Sequence, residues 1–459
     1  MVGSEVKKKD TAIFLFRKDL RLFDNLGLIA ALESHKKVIP IFILDEYLLN
    51  NPNISLNATQ FLRESLYDLV TQLHAQKGKL VILKGKPVQI IKNILNNQSI
   101  STLFYNRDYT PYALKRDSNI AKLCKRYEVD VIQFSDLLLN EPESVLKNDG
   151  QPYTVFTPYY NNASQIPVKK PIENKYTGYY TDFIKNDLSP SLDGELNFHN
   201  DSIEIKGGRN SALDILRNIQ EFQNYSTERD IPAIQGTTRL SAHIRFGTIS
   251  IREIYHVIRN ESIENLLRQL YWREFYIYIG YHFPYVFKNV FKQKYNNLDW
   301  SYDKKAFISW SEGKTGFPIV DAGMRELNQT GYMHNRIRMI VASFLTKDLL
   351  IDWKWGEKYF AKKLIDFDLS VNNGNWQWAS STGTDAQPYF RIFNPWLQQR
   401  KFDKDCTYIK RYIPELAHLS AKEIHNLDKI RPSSLINYPQ PIVDHKKMRN
   451  AAIAIFKAF

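Results

Sequence analysis

The chain has 459 residues, with 62 Lys and Arg against 49 Asp and Glu, so its formal net charge is +13. This length can form two or three domains with large apolar cores, and neither disulfides nor a metal is needed for stability. The two cysteines, Cys124 and Cys406, are isolated, which excludes a disulfide framework and a thiolate zinc site. We predict a cytoplasmic protein that binds no metal and no membrane, because no apolar run reaches the ~18 residues of a span and the N-terminal residues lack the apolar core of an export signal.

The positive charge and the aromatic content suggest a partner class. A surplus of cations favours polyanions such as nucleic acids, although it is equally typical of a protein with extra surface lysines. Aromatic residues make up 13% of the chain. Most of them must form core, and some could stack on flat ligands.

Short apolar strands alternate with helices over residues 1–135. The strands are predicted at 11–16, 37–44, 79–83, 102–105 and 129–134, and the helices at 26–34, after an N-cap at Asn57, from Pro87, and at 111–127. This alternation predicts a doubly wound parallel sheet of the Rossmann-like α/β type. No GxGxxG sequence follows the first strand, so the common dinucleotide-binding fingerprint is missing.

Two further regions follow the α/β domain. Residues 136–205 are rich in Asn, Pro, Tyr and Ser and show weak periodicity, which predicts a long interdomain linker packed along the surface. Residues 206–459 carry helical patterns at 211–224, 262–282, 319–327, 336–350 and 357–365. We therefore predict an all-α second domain.

Three hydroxyl side chains stand at the predicted start of a helix. Backbone N–H groups and hydroxyls at such a position suit a phosphate or diphosphate, although simple N-capping is the alternative. With a tyrosine upstream, the candidate ligands are Tyr225, Thr237, Thr238, Arg239, Leu240 and Ser241.

A second segment places an amide, an indole, a guanidinium and a phenol on one helix face. Gln269, Trp272, Arg273 and Tyr276 recur at three- and four-residue spacing. Together they could stack on and hydrogen-bond a base, whereas the alternative is an amphipathic helix with a buried tryptophan.

Two segments near the end of the chain combine charge with amides. Arg336 and Arg338 should point to different faces, so that one meets an acid inside and the other a phosphate outside. Further along, two carboxylates and an amide precede a tryptophan pair, which suits a pocket for a heteroaromatic cofactor. These residues are Asp366, Phe367, Asp368, Asn372, Trp376 and Trp378.

Collinear motifs over nearly the whole chain resemble the photolyase/cryptochrome family, and specifically class I cyclobutane-pyrimidine-dimer photolyases. The motifs are FRKDLRLFDN at 16–25, NRDYTPY at 106–112, GKTGFPIVDA at 313–322, MHNRIRM at 333–339, WQWASSTGTD at 376–385 and PYFRIFNP at 388–395. Each motif alone is a weak signal, but their common order excludes chance similarity.

The resemblance implies a light-driven repair enzyme, a carbon–carbon lyase that donates an electron from photoexcited FADH⁻ to a flipped-out dimer. It implies that the helical domain holds a bent FAD, with Tyr225 and residues 237–241 at the phosphates. Asp366, its partner Arg338, and Asp368 would lie near the rings, and Asn372 would face flavin N5. The implied partner is UV-damaged DNA, single- or double-stranded, bound by a monomer.

The resemblance also assigns residues to the lesion, the DNA and an electron relay. Trp272 and Trp378 would wedge the flipped pyrimidines, with Gln269, Asn335 and Met339 as further walls. Trp300, Trp353 and Trp376 would carry electrons from the surface to the flavin. The DNA contacts would be Arg229, Gln269, Trp272, Arg273, Tyr276, Asn335, Arg336 and Gln398.

Three departures from the family pattern keep alternatives open. Gln269 replaces the usual glutamate and is familiar from (6-4) photolyases, although Asn335 and Met339 match dimer repair. Leu266 replaces a frequent tryptophan at the flavin, and Ala113 replaces a glutamate of folate-binding members. The antenna could therefore be a deazaflavin, a flavin, folate or nothing. A blue-light receptor, a (6-4) photolyase and a DNA-binding flavoprotein without repair activity are the other functions considered.

Overall fold

The structure is a computed structural model that describes residues 9–180, 191–429 and 437–459. Five parallel strands form one sheet in the order β3-β2-β1-β4-β5, which confirms the predicted doubly wound topology. The predicted lack of an export signal concerns residues outside the described ones. The strands are β1 (Lys9–Phe16), β2 (His35–Asp45), β3 (Val81–Gly85), β4 (Thr102–Asn106) and β5 (Asp130–Phe134).

Helices cover both faces of the sheet. They are α1 (Leu26–Ser34), α2 (Glu46–Leu49), α3 (Leu56–Ala75), α4 (Pro87–Asn97) and α5 (Pro111–Arg126). The predicted N-cap at Asn57 is wrong, because α3 begins two residues earlier and the Ser55 side chain accepts from the Ala58 amide at 3.2 Å. Asn57 instead donates to the Lys363 carbonyl at 2.8 Å and so links α3 to the helical domain.

Two of the sequence motifs meet at the carboxyl ends of β1 and β4. The Asn106 amide donates to Asp19 at 2.6 Å and to Asn25 at 2.8 Å, while its oxygen accepts from the Gly27 amide at 3.1 Å. A Cβ on Gly27 would lie 2.7 Å from that oxygen, so the close approach requires glycine. This network fixes the turn into α1.

The linker packs on both domains, with a short α6 (Phe156–Ala163) and α7 (Leu192–Glu195). Its start is held by Glu274, which is 1% exposed and accepts from the Leu139 amide at 2.7 Å and from Tyr159 at 3.1 Å. Near its middle, Tyr179 bridges to Val38 of β2. Where it is described, this segment therefore contacts both the sheet and α12.

In the described part of its second half, the chain is helical apart from loops and an isolated bridge between Ser301 and Ile351. Its helices are α8 (Arg209–Arg217), α9 (Tyr225–Glu228), α10 (Ser241–Phe246), α11 (Ile251–Asn260), α12 (Glu264–His282), α13 (Lys304–Ser311), α14 (Pro318–Thr330), α15 (Asn335–Ser343), α16 (Trp353–Lys363), α17 (Leu369–Ala379), α18 (Pro395–Phe402), α19 (Thr407–Tyr412), α20 (Ala421–Ile424) and α21 (His445–Lys457).

Two predicted helices are shorter than their patterns. The helix predicted at 211–224 ends at Arg217, where Asn218 donates to the Asp214 carbonyl and a 3-10 turn follows. The helix predicted at 336–350 gives way after Ser343 to a π-helical turn, Phe344–Asp348. Apolar spacing alone does not distinguish these tighter and wider turns from an α-helix.

A buried ion network joins the sheet to the helical domain. Asp136, at the start of the linker, accepts from Arg21 of the first motif and from Arg252 of α11, each at 2.7 Å. Arg252 also donates to Asp24 at 2.9 Å. All four side chains are at most 6% exposed. The first motif therefore serves the domain interface, and the predicted boundaries at 135 and 205 stay a prediction.

His243 of α10 contributes a pH dependence to this interface. The ring is fully buried against Phe61 of α3, and burial lowers its pKa to about 4. Between pH 6.5 and 4, His243 is protonated in the unfolded chain and neutral in the native state. The free energy of unfolding therefore falls as the pH falls through this window. When the pH is lowered from 7 to 4, we expect the free energy of unfolding to decrease by roughly 3 kcal/mol more in the wild type than in His243→Leu.

This difference is measured by denaturant titration of both proteins at pH 7 and pH 4. All other titrating groups are common to the pair, so their contributions cancel. Equal losses in the two proteins would contradict the buried neutral imidazole.

Candidate functional site

The loop before α10, the start of α15 and residues 366–368 converge on one carboxylate. Asp366 is 5% exposed and accepts from Ser241 Oγ at 2.6 Å and from Arg338 Nη2 at 3.0 Å. Arg338 also donates through Nε to the Met333 carbonyl at 2.7 Å. The predicted pairing of Arg338 with Asp366 is present, and it fixes a guanidinium and a hydroxyl in one place.

Tyr332 connects this cluster to the predicted phosphate loop. Arg239 and Arg338 lie over its ring at 4.9 and 5.4 Å from the centroid. Thr237 lies close to its hydroxyl. Arg239 has a left-handed φ of 52° and also pairs with Glu204. Arg239 of the loop and Arg338 of α15 therefore place two cations over the same aromatic ring.

Asp368 lies among three cations from three parts of the chain. Its side chain accepts from the amides of Ser370 and Val371 and so caps α17. Burial alone would raise the pKa of Asp368. The charges of Lys18, Arg245 and Arg273 outweigh this effect and hold the pKa below its ordinary value. Asp368 is thus an ionised anchor between α12, α17 and the sheet domain.

The orientation of the Asn372 amide is fixed by α16. Its Nδ2 donates to the Glu357 carbonyl at 3.1 Å, and the side chain is largely buried. Glu357 also accepts from Asn373 at 2.9 Å, and burial raises the pKa of Glu357 to about 7. Within residues 9–180, 191–429 and 437–459, no group donates to Asn372 Oδ1. This oxygen can therefore accept from a ligand N–H.

The predicted base-binding face of α12 is only partly exposed. The Trp272 indole stacks on Phe156 of α6, with ring centroids 3.6 Å apart and planes at 9°. Tyr276 is 5% exposed and packs on Gly374 of α17, where a Cβ would lie 2.0 Å from its ring. Gln269 donates to the Asn265 carbonyl of its own helix at 2.9 Å. Tyr276 thus lies behind Trp272 and joins α12 to α17.

Most of the remaining predicted DNA contacts are half-buried side chains. Arg336 pairs with Asp230 at 2.8 Å, so both arginines of its motif meet an acid, and Arg273 donates to the Leu137 carbonyl at 3.1 Å. Asn335 and Met339 lie one turn apart on α15, with Nδ2 and Sδ 3.9 Å apart. Arg229 covers the Tyr225 ring at 5.1 Å, and the Gln398 oxygen is buried without a donor among the described residues.

The three tryptophans predicted to form a relay share one hydrophobic core. Trp353 and Trp376 are buried in it, and Trp300 and Trp378 pack against it. The ring centroid of Trp376 lies 6.2 Å from that of Trp310 and 5.0 Å from that of Phe360. Trp300 contacts Phe456 of α21 at 6.4 Å. Trp310 was not among the predicted site residues, although its position inside an apolar helix pattern could have suggested it.

Other residues of the site were also missed. Lys18 lies inside the first motif, and Arg245 follows the phosphate loop closely, so charge near each motif was the available signal. Phe156 lies in the aromatic part of the linker. Its contact with Trp272 could not be predicted, because 116 residues separate the two (272 − 156).

Two family models match the chain. Residues 12–175 match the DNA photolyase model, and residues 266–458 match the FAD binding domain of DNA photolyase.

Across the described residues, no helix is long and apolar enough to cross a bilayer, and no group of three or more His, Cys, Asp and Glu side chains could hold a metal ion.

Similarity to known proteins extends over the whole chain. A deoxyribodipyrimidine photo-lyase of Alkalihalophilus pseudofirmus is 38% identical over 96% of this chain and 97% of its own. The crystal structure of an archaeal photolyase from Sulfolobus tokodaii with two FAD molecules superposes with a TM-score of 0.89, at 38% identity and coverage of 98% and 100%. A Synechocystis cryptochrome superposes at 0.88 with 26% identity, covering 98% of this chain and 99% of its own.

Proposed function

Because this chain belongs to the photolyase/cryptochrome family, we propose that it repairs cyclobutane pyrimidine dimers in DNA with light. Family membership, an enzyme of the photo-lyase class and FAD as cofactor are confirmed predictions. The choice of lesion is the proposal. The observation that carries it is the partly exposed Trp272 indole, which is stacked in parallel on the ring of Phe156.

The residues present fit FAD. Arg239, Arg338 and the hydroxyls of Thr237 and Ser241 suit a diphosphate, while Thr238 and Leu240 shape the same loop. The free oxygen of Asn372 suits the N–H of a flavin ring. When bound, FAD supplies light absorption and one-electron donation. The protein would hold it through this loop, Tyr225, and the segment with Asp366, Phe367 and Asp368.

The lesion must leave the DNA stack before it can react. Extrusion costs a few kcal/mol and costs least for a base pair that is already damaged. Stacking on an indole returns ~1–3 kcal/mol per base. We assign this stacking to Trp272 and Trp378 and the polar and soft walls to Gln269, Asn335 and Met339. We assign the phosphate contacts to Arg229, Arg273, Arg336 and Gln398. The net positive charge of the chain favours such contacts.

Repair of a defined oligonucleotide tests the proposal. Purified holoprotein with reduced flavin should restore a thymine-dimer oligonucleotide under blue light and leave it unchanged in the dark. Repair of a (6-4) photoproduct instead would assign the alternative lesion, in keeping with Gln269. Binding of damaged DNA without repair of either lesion would favour the non-repairing flavoprotein. No preference for damaged DNA would favour a blue-light receptor.

We assign electron entry to Trp300, Trp353 and Trp376, since indole is easily oxidised and all three share one core. Trp353→Phe should slow photoreduction of the oxidised flavin at least tenfold and leave repair by pre-reduced protein near normal. The measurement is flavin absorbance during illumination with a thiol reductant. Trp310→Phe is the matched control, because Trp310 is also buried and contacts Trp376. If only the control were slow, electrons would enter through Trp310.

The presence and the class of a second chromophore are both open. A deazaflavin, a second flavin and folate absorb at different wavelengths, so the absorption spectrum of the pure protein distinguishes them. The similar Sulfolobus tokodaii photolyase contains two FAD molecules. The monomeric state and the cytoplasmic location stay predictions.

A further inference from the structure

The linker contributes a ring to the proposed lesion site. Phe156 is 1% exposed and stacks in parallel on Trp272, with centroids 3.6 Å apart. Trp272 has two other ring neighbours among the described residues, and both lie at an angle, Tyr276 at 32° and Phe275 at 84°. Phe156 therefore covers one indole face and leaves the other free of a parallel partner in the described part of the chain.

The Phe156 ring is itself held from two directions. Tyr160 stacks on it at 5.8 Å, and Arg268 of α12 lies over both rings at 5.2 and 4.9 Å. Its backbone amide donates to Asp385 at 3.1 Å, and the neighbouring Thr154 carbonyl accepts from Thr384. Residues 384–385 follow α17, which carries Trp378. One linker segment thus contacts α12, which carries Trp272, and the loop that follows α17.

We propose that Phe156 is a positioning residue for lesion recognition, which acts by holding the Trp272 indole at the angle where it stacks on a flipped pyrimidine. This inference rests on the proposed function. A free tryptophan would lose rotamer freedom on binding, and a ring already stacked at its back has lost that freedom before DNA arrives. Pre-organisation of this kind increases affinity for extruded bases and leaves phosphate contacts to undamaged DNA unchanged.

Double-mutant binding measurements test this role. We expect Phe156→Leu, which keeps apolar volume and removes the stack, to weaken binding to a thymine-dimer oligonucleotide about five- to tenfold, in line with one aromatic pair. Binding to the undamaged oligonucleotide should be unchanged. In a Trp272→Leu background, Phe156→Leu should have no further effect, since its action passes through the indole. Phe156→Tyr keeps the ring and should keep the wild-type ratio.

Phe222→Leu is the matched control, because Phe222 is buried in the same hydrophobic cluster without a Trp272 contact. It should leave the ratio of damaged to undamaged affinity unchanged. An equal loss for both DNAs, or an undiminished effect of Phe156→Leu in the Trp272→Leu background, would overturn the inference. If Phe156→Leu does not fold, Phe156→Met carries the same expectation. A wild type that ignores the dimer would refute the proposed function and this inference together, whereas discrimination retained by Phe156→Leu refutes the inference alone.

Discussion

Asp136→Asn is expected to lower the free energy of unfolding by about 3–5 kcal/mol, because it leaves two buried guanidinium groups without their shared carboxylate. Arg21 and Arg252 each donate to Asp136 at 2.7 Å, and they come from the sheet domain and the helical domain. This loss is a large fraction of the ~5–15 kcal/mol that stabilises a typical protein. Denaturant titration at pH 7, followed by tryptophan fluorescence, measures it.

The pH dependence of this effect is part of the prediction. Burial alone would raise the pKa of Asp136. The charges of Arg21 and Arg252 outweigh this effect and hold the pKa below its ordinary value. The stabilisation is therefore complete above the unfolded pKa of 3.8 and is lost only as the pH falls through the lower folded value. Glu312→Gln is the comparison variant, because Glu312 and Lys314 form an ion pair whose side chains are 51% and 62% exposed, respectively. It should lower the free energy of unfolding by less than ~1 kcal/mol. A small loss for both variants would show that the interface tolerates unpaired arginines.

The sheet domain was predictable because local signals determine it. Each apolar strand run and each helix pattern corresponds to an element, with bounds shifted by a few residues. The exception at Asn57 has a simple cause, since Ser55 and Asn57 are both good N-caps and only tertiary contacts choose between them. Asn57 is instead used across the domain interface, 306 residues away from Lys363.

The site was predictable as a set of motifs and not as a geometry. The pairing of Arg338 with Asp366 followed from resemblance, and the structure contains it. The ring behind Trp272 and the cations around Asp368 depend on contacts between residues far apart in sequence, and periodicity carries no information about them. Glu274 is a similar case, because it lies in the α12 segment and yet binds the linker.

Asp366→Asn is expected to weaken FAD binding by about two orders of magnitude or more. Asp366 holds both Ser241 and Arg338, and Arg338 lies over Tyr332 beside Arg239. Loss of the carboxylate leaves a largely buried cation unpaired, which costs about 3–5 kcal/mol, and it releases the hydroxyl. The measurement is the dissociation constant of FAD for deflavinated protein, by flavin fluorescence, with the melting temperature of the apoprotein recorded in parallel.

A second substitution separates cofactor binding from folding. Asp366→Asn combined with Arg338→Met replaces the ion pair by neutral groups, which is often close to neutral for stability. The double variant should therefore recover the apoprotein melting temperature and still bind FAD weakly, because the guanidinium proposed to meet the cofactor is gone. Asp230→Asn, which breaks the ion pair of Arg336 on the same helix, is the matched control and should leave FAD affinity unchanged. Wild-type FAD affinity in the double variant would mean that the Arg338–Asp366 pair only supports the fold, and the cofactor contacts would then have to come from Thr237 and Arg239.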